Sequence, residues 1–148
     1  MFNYYQYRNE LMDCGPQPFV VDIKKATECN EFYRVSLWTG NHLQLTVMSI
    51  PVGGDIGLEM HPNVDQFLKI EEGCGLVQMG NRQENITLQQ MVYEDNAIFV
   101  PAKTWHNLLN VGQVPLKLYT IYAPKNHPWG TVHQTKEIAE SMEHHEST

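Results

Sequence analysis

Ten short runs rich in Val, Ile, Leu, Phe and Tyr follow one another between Phe19 and Ala123, separated by Gly, Asn, Asp and Pro. Punctuation at intervals of about 8–12 residues is the pattern of an all-β chain. The expected strands are Phe19–Ile23, Tyr33–Thr39, Leu43–Ile50, Gly57–His61, Gln66–Glu71, Gly75–Met79, Glu84–Leu88, Ala97–Val100, His106–Asn110 and Leu116–Ala123. Turns fall at Gly40-Asn41, Gly53-Gly54, Gly73, Gly80-Asn81 and Val111-Gly112, residues suited to tight bends. So many strands must close into a barrel or stack as two sheets, because a long open sheet exposes unpaired edges. In Leu43–Ile50, Leu43, Leu45 and Val47 face one way while Gln44, Thr46 and Met48 face the other, which suits a strand packed on both sides.

The ends depart from this pattern. Tyr4–Met12 reads either as a short helix stopped by Gly15 and Pro16 or as an extended arm. Near the other end Thr135 can cap a helix with Glu137 in its first turn and Ile138, Ala139 and Met142 on the side that meets the barrel. From Glu143 to Thr148 the tail reads as frayed, which makes His144 and His145 poor site candidates. No repeat or linker divides the chain. Residues 1–134 are therefore expected to form one domain around one core, with 135–148 as helix and tail.

With 148 residues and 42% hydrophobic content the chain can bury such a core. Its 17 acids outnumber 10 bases and the bases are scattered, which excludes a nucleic-acid surface or an anionic membrane patch, since both need clustered Lys and Arg. No window approaches the roughly 18 apolar residues of a membrane span, and the first twenty lack the order of a secretory signal, so the expected location is cytoplasmic. Cys14, Cys29 and Cys74 are too few and too widely spaced for a disulfide framework or a Cys-x-x-Cys knuckle and read as buried thiols.

The chemistry concentrates in Gly57-Leu-Glu59-Met-His61-Pro-Asn-Val-Asp65-Gln66. Residues two apart on a strand share a face, so Glu59 and His61 present a carboxylate and an imidazole side by side. Pro62 turns the chain and the next strand returns Gln66 beside the pair; a slip of one residue in register would bring Asp65 there instead. A second stretch, Pro101-Ala-Lys-Thr-Trp105-His106-Asn107-Leu-Leu-Asn110, adds another imidazole. Two histidines and one carboxylate form a ligand set that leaves open positions on a divalent metal.

These two stretches resemble the paired motifs of the cupin superfamily. The final Gly of the first motif matches Gly73, its second His matches His61, its first His is replaced by Glu59 and its Glu by Gln66. The carboxylate and a neutral ligand have thus exchanged places. Pro101, His106 and Asn110 match the second motif, with Asp95 and Lys103 where glycines are usual. The resemblance implies a cupin-like jelly-roll barrel, or double-stranded β-helix, paired as a homodimer. It also implies a divalent ion, Fe, Mn, Ni or Zn, held by Glu59, His61, His106 and Gln66. The expected function is a metal-dependent enzyme acting on a compact polar metabolite such as a sugar or small acid, of isomerase or dioxygenase type. The alternative is a non-catalytic module that binds or senses a small ligand.

Other residues read as structural. Trp105 packs, Lys69 and Lys103 are solvated, and Glu71 and Glu72 precede a turn and are solvated as well. Met48, Met60, Met79 and Met91 fill the core. His127 and His133, on either side of Pro128-Trp129-Gly130, are expected to be hydrogen-bonded structural histidines. Arg8, Arg34 and Arg82 are the only arginines, a thin basis for a phosphate clamp.

Overall fold

A computed structural model describes residues 11–146. Nine strands and two helices make up this region: α1 Ile23–Cys29, β1 Arg34–Thr39, β2 Gln44–Ile50, β3 Asp65–Glu72, β4 Gly75–Gly80, β5 Leu88–Val92, β6 Ala97–Val100, β7 Trp105–Asn110, β8 Leu116–Ala123, β9 Val132–His133 and α2 Lys136–Glu146. A six-stranded antiparallel sheet has the order β6-β3-β8-β2-β1-β9, and a three-stranded sheet the order β5-β4-β7. The all-β expectation therefore holds. The segment Tyr4–Met12 lies outside the described residues except for Leu11 and Met12, which have no regular structure.

Three expected strands differ. Phe19–Ile23 is not a strand: Asp22 caps α1 by accepting the Lys25 N–H at 3.1 Å, so the chain turns helical at Ile23 and Val20 is left exposed. Gly57–His61 pairs only through a single two-way bridge between Glu59 and His106. Glu84–Leu88 lies too early; a bridge between Arg82 and Asn85 takes up the turn, and β5 starts at Leu88.

The six-stranded sheet is covered on both faces at β1 and β2, where all seven residues of β2 are buried, while β6 leaves Phe99 exposed on its outer face. Its inner face joins the smaller sheet through Met48, Ile50, Leu68, Ile70, Val77, Ile98, Leu108, Leu116 and Leu118. Its outer face carries a second cluster, Val35, Leu37, Leu45 and Val47, roofed by Ala26 and Cys29 of α1. The single expected core is thus two clusters, because period-2 alternation gives a sheet two apolar faces to cover. Met48 is fully buried, but Met91 is exposed on β5 rather than filling the core. Helix α2 begins as expected, with the Thr135 hydroxyl accepting the Ile138 N–H at 3.2 Å. It packs through Ala139 alone of the three expected contacts, leaving Ile138 and Met142 exposed. The helix also continues through Glu146, past the expected start of fraying at Glu143.

Two local features support the barrel. Asp13 is buried and accepts hydrogen bonds from the Gly15, Thr39 and Gly130 N–H groups and from the Ser36 and Thr39 hydroxyls. Burial opposes its charge, but these donors outweigh burial and hold the carboxyl below its ordinary value of 3.8. At Asp95 (φ 71°) and Lys103 (φ 68°), the positions where the resemblance places glycine, the backbone is left-handed. Both positions need that conformation to turn: the Asp95 N–H donates to the Ile70 carbonyl and the Lys103 N–H to the His61 carbonyl, each at 2.8 Å.

Two stability predictions follow from these sites. Asp13→Asn, which replaces an acceptor by a donor, is expected to destabilise the fold by about 2–4 kcal/mol at pH 7 in urea unfolding. A carboxyl with a lowered folded-state value stabilises fully above its unfolded value and loses that contribution progressively as pH falls from there through the folded value. The gap between wild type and variant should therefore narrow below pH 3.8, and a constant gap between pH 7 and pH 3 would count against the network. Lys103→Gly removes a left-handed side chain and should raise stability by about 0.5–1 kcal/mol, or about 2–4 °C in melting temperature.

Candidate metal centre

Glu59 and His106 are locked opposite each other by two backbone hydrogen bonds, Glu59 N–H to His106 O at 3.0 Å and His106 N–H to Glu59 O at 2.9 Å. That bridge aims both side chains the same way, and His61, two residues beyond Glu59, joins them. Glu59 Oε1 lies 3.3 Å from His61 Nε2 and 3.4 Å from His106 Nε2, and the three ligand atoms all lie within 4.8 Å of one another. The imidazole centroids are 5.2 Å apart. The structure thus brings together three of the four residues expected from the sequence to meet.

The donors are prepared for a cation. His106 Nδ1 is 2.8 Å from the Thr104 carbonyl, which can only accept, so the proton sits on Nδ1 and Nε2 offers its lone pair toward Glu59. Both Nε2 atoms are buried and have no hydrogen-bond partner. Two ligands bonded to one divalent ion at about 2.0–2.1 Å stand about 3.0–3.4 Å apart, depending on the bond angle. The observed spacings of Oε1 to each Nε2 fall within that range.

A polar brace fixes the segment leading into Glu59. Lys136 of α2 pairs with Asp55 at 2.5 Å, Asn107 Nδ2 donates to Asp55 at 3.0 Å, and the Gly57 N–H donates to Asn107 Oδ1 at 2.9 Å. Gln66 points inward and is buried; its Nε2 donates to the Thr120 hydroxyl at 3.1 Å, while Oε1 is buried without a partner. Asp65 is on the opposite side, where its carboxylate accepts the Ala102 N–H at 2.8 Å. The register therefore selects Gln66 over Asp65 as the inward residue.

Several expectations about surrounding residues are corrected. Glu71 is buried rather than solvated, and Lys69 pairs with it and with Asp95. His127 and His133 are buried and hydrogen-bonded as expected, to Asn126 and Arg34, and they also belong to a row of inward polar rings that sequence reading did not connect. Tyr122 lies 6.1 Å from His61 and 5.3 Å from His127, and His127 lies 6.3 Å from His133. The row ends at Arg34, 3% exposed, whose Nη1 is 3.3 Å from His133 Nδ1. Burial, and after it the Arg34 charge, push His127 down to about 2 and His133 down to about 4, so both are neutral near pH 7. The signal available beforehand was alternation: in β1, Val35 and Leu37 serve the outer cluster, which leaves Arg34 and Ser36 facing inward.

Comparison with known proteins agrees with this architecture. A cupin domain profile matches residues 46–122. The Bacillus subtilis protein YrkC, itself uncharacterised, is 58% identical over 140 residues, covering 94% of this chain and 75% of its own. The crystal structure of BH2720 from Bacillus halodurans is 61% identical with a TM-score of 0.87, covering 88% of this chain and 98% of that one. A predicted oxalate decarboxylase of Thermotoga maritima shares the fold at 16% identity and a TM-score of 0.50, over 57% of this chain and 69% of its own. With the profile covering both strand-borne motifs and the donors converging between them, this chain belongs to the cupin family.

Proposed function

We propose that Glu59, His61 and His106 hold a divalent metal ion, with Gln66 as fourth ligand or as the residue that orients a metal-bound ligand. On this reading the protein is a metal-dependent enzyme acting on a compact polar metabolite. The observation that carries it is the pair of buried Nε2 atoms, neither with a hydrogen-bond partner, turned on one carboxylate oxygen. Buried polar atoms left unpaired cost free energy, and a cation satisfies all three at once. Two neutral imidazoles and one carboxylate suit Fe(II), Mn(II), Ni(II) or Zn(II) and leave coordination positions open. A bound ion would supply Lewis acidity, or oxygen activation if it is iron.

The chain's own residues do the rest. Glu59 contributes the single negative charge, His106 is held by Thr104 in the tautomer that keeps Nε2 free, and Gln66 is anchored by Thr120 with its oxygen unengaged. Pairing as a homodimer belongs to the same proposal.

Purified protein incubated with Fe(II), Mn(II), Ni(II) or Zn(II) in turn should retain about one equivalent of at least one of them, and His106→Ala and Glu59→Ala should each reduce that to trace level. Gln66→Ala should keep the metal but weaken its affinity by about 10–100-fold. Less than about a tenth of an equivalent of every metal in wild type would overturn the reading. Screening the loaded protein with sugars and small acids then separates turnover from binding: a compound that raises the melting temperature without yielding product would favour a binding module.

A further inference from the structure

Resting on the metal reading and deepening it, we propose that Arg34 is an anion anchor inside the barrel, and that the ligand of this site is therefore a small carboxylate rather than a neutral sugar. Arg34 is the one buried arginine among the described residues, and a guanidinium taken out of water requires partners for its charge and for its five N–H donors. The partners present fall short of that. His133 Nδ1 is a neutral acceptor 3.3 Å from Nη1, the Tyr122 hydroxyl is a second neutral hydrogen-bond partner, and the Tyr33 ring lies 5.1 Å from the guanidinium carbon. The nearest carboxylate oxygen, Glu143 Oε1, is 3.7 Å from Nη1 on a half-exposed side chain. Nε is buried and has no partner.

The surroundings favour an anion. From the ligand His61 the inward row runs through Tyr122, His127 and His133 to Arg34, each ring in contact range of the next, so the guanidinium and the metal donors share one interior. His127 and His133 are neutral there, and burial pushes the Tyr122 phenol up, so none of the three balances the charge of Arg34. Glu59 is committed to the metal donors, and the other carboxylate buried on this face, Asp13, already accepts five hydrogen bonds. A carboxylate matches the fork of a guanidinium and supplies the acceptor that Nε lacks. A neutral polyol would leave the charge unmatched.

The test uses full-length protein loaded with Zn(II), with metal content measured first, and acetate and glycolate as probes against glycerol as the uncharged control. Calorimetric titration should detect both acids and not glycerol. Arg34→Met should weaken the acids by about tenfold or more while leaving metal content unchanged, and Arg34→Lys should recover part of the loss. Glu143→Gln, which removes the outer carboxylate competing for Nη1, should tighten acid binding, an effect that a purely structural Arg34 does not produce. Acid affinity unchanged in Arg34→Met, or glycerol bound as well as acetate, overturns the proposal. If Arg34→Met does not fold, Arg34→Lys and Glu143→Gln decide it: unchanged acid affinity in both rejects the anchor. If wild type takes up no metal, the earlier reading fails by itself, and the anchor is judged by the same comparisons on metal-free protein.

Discussion

Burial of β1 and β2 on both faces of the six-stranded sheet governs much else in this molecule. A strand offers its side chains to two sides in strict alternation, and in these two strands neither side is solvent. The outer face meets α1, and the inner face meets the smaller sheet. Polar residues that fall on inward positions therefore have no water to turn to and must satisfy each other or a ligand. Along β8 the inner positions change from Leu116 and Leu118 to Thr120 and Tyr122, and along β2 from Ile50 and Met48 to Thr46 and Gln44. One end of the barrel is thus an apolar core and the other a polar chamber built from the same strands.

Within that chamber two grades of satisfaction can be distinguished. Gln44 is fully used: its Nε2 donates to the Thr39 hydroxyl and the His127 carbonyl, and its Oε1 accepts the Asn126 and His127 N–H groups. Asp13 is equally engaged. The unpaired atoms are instead Gln66 Oε1, His61 Nε2, His106 Nε2, Arg34 Nε and the Thr46 hydroxyl. Three of these belong to the proposed metal donors and one to Arg34. In a chain that elsewhere pairs buried polar groups with up to five partners, this concentration of unused capacity supports the proposed binding role over a purely structural network.

The sequence made the barrel and its donors legible because both depend on period-2 logic. Glu59 and His61 share a face by spacing alone, and the motif around His106 brought in the third donor. What stayed hidden depended on other information. Helix α1 was obscured by Val20 and Val21, which read as strand, although Asp22 before Ile23 was a cap signal. Arg34 stood out in the sequence only as one of three arginines; alternation in β1 groups it with Ser36, but the second apolar cluster is what shows that this face is the inner one. His127 and His133 come together through the packing of residues 127–133 against β1 and β8, a tertiary contact that no local pattern encodes. Asp95 and Lys103 looked like departures from the motif. The backbone there kept the left-handed turn without its glycines.

The C-terminal helix also contributes to the site, without contacting the proposed metal donors. Lys136, at its first residue, pairs with Asp55, and Asp55 in turn holds Asn107 beside the Gly57 N–H, two residues before Glu59. Burial opposes the Asp55 charge, but the hydrogen bonds from Lys136 and Asn107 outweigh it and hold that carboxyl below its ordinary range. Two turns further along, Glu143 reaches Arg34 from outside. One short helix therefore touches both ends of the polar row: through Asp55 it fixes the approach to the metal donors, and through Glu143 it moderates the charge at the guanidinium. Because Lys136 and Glu143 are seven residues apart, they lie on one helical face, so a shift of α2 along its axis would move both contacts together. The geometry of the donors and the charge facing a ligand are in this way coupled to the docking of a single surface element.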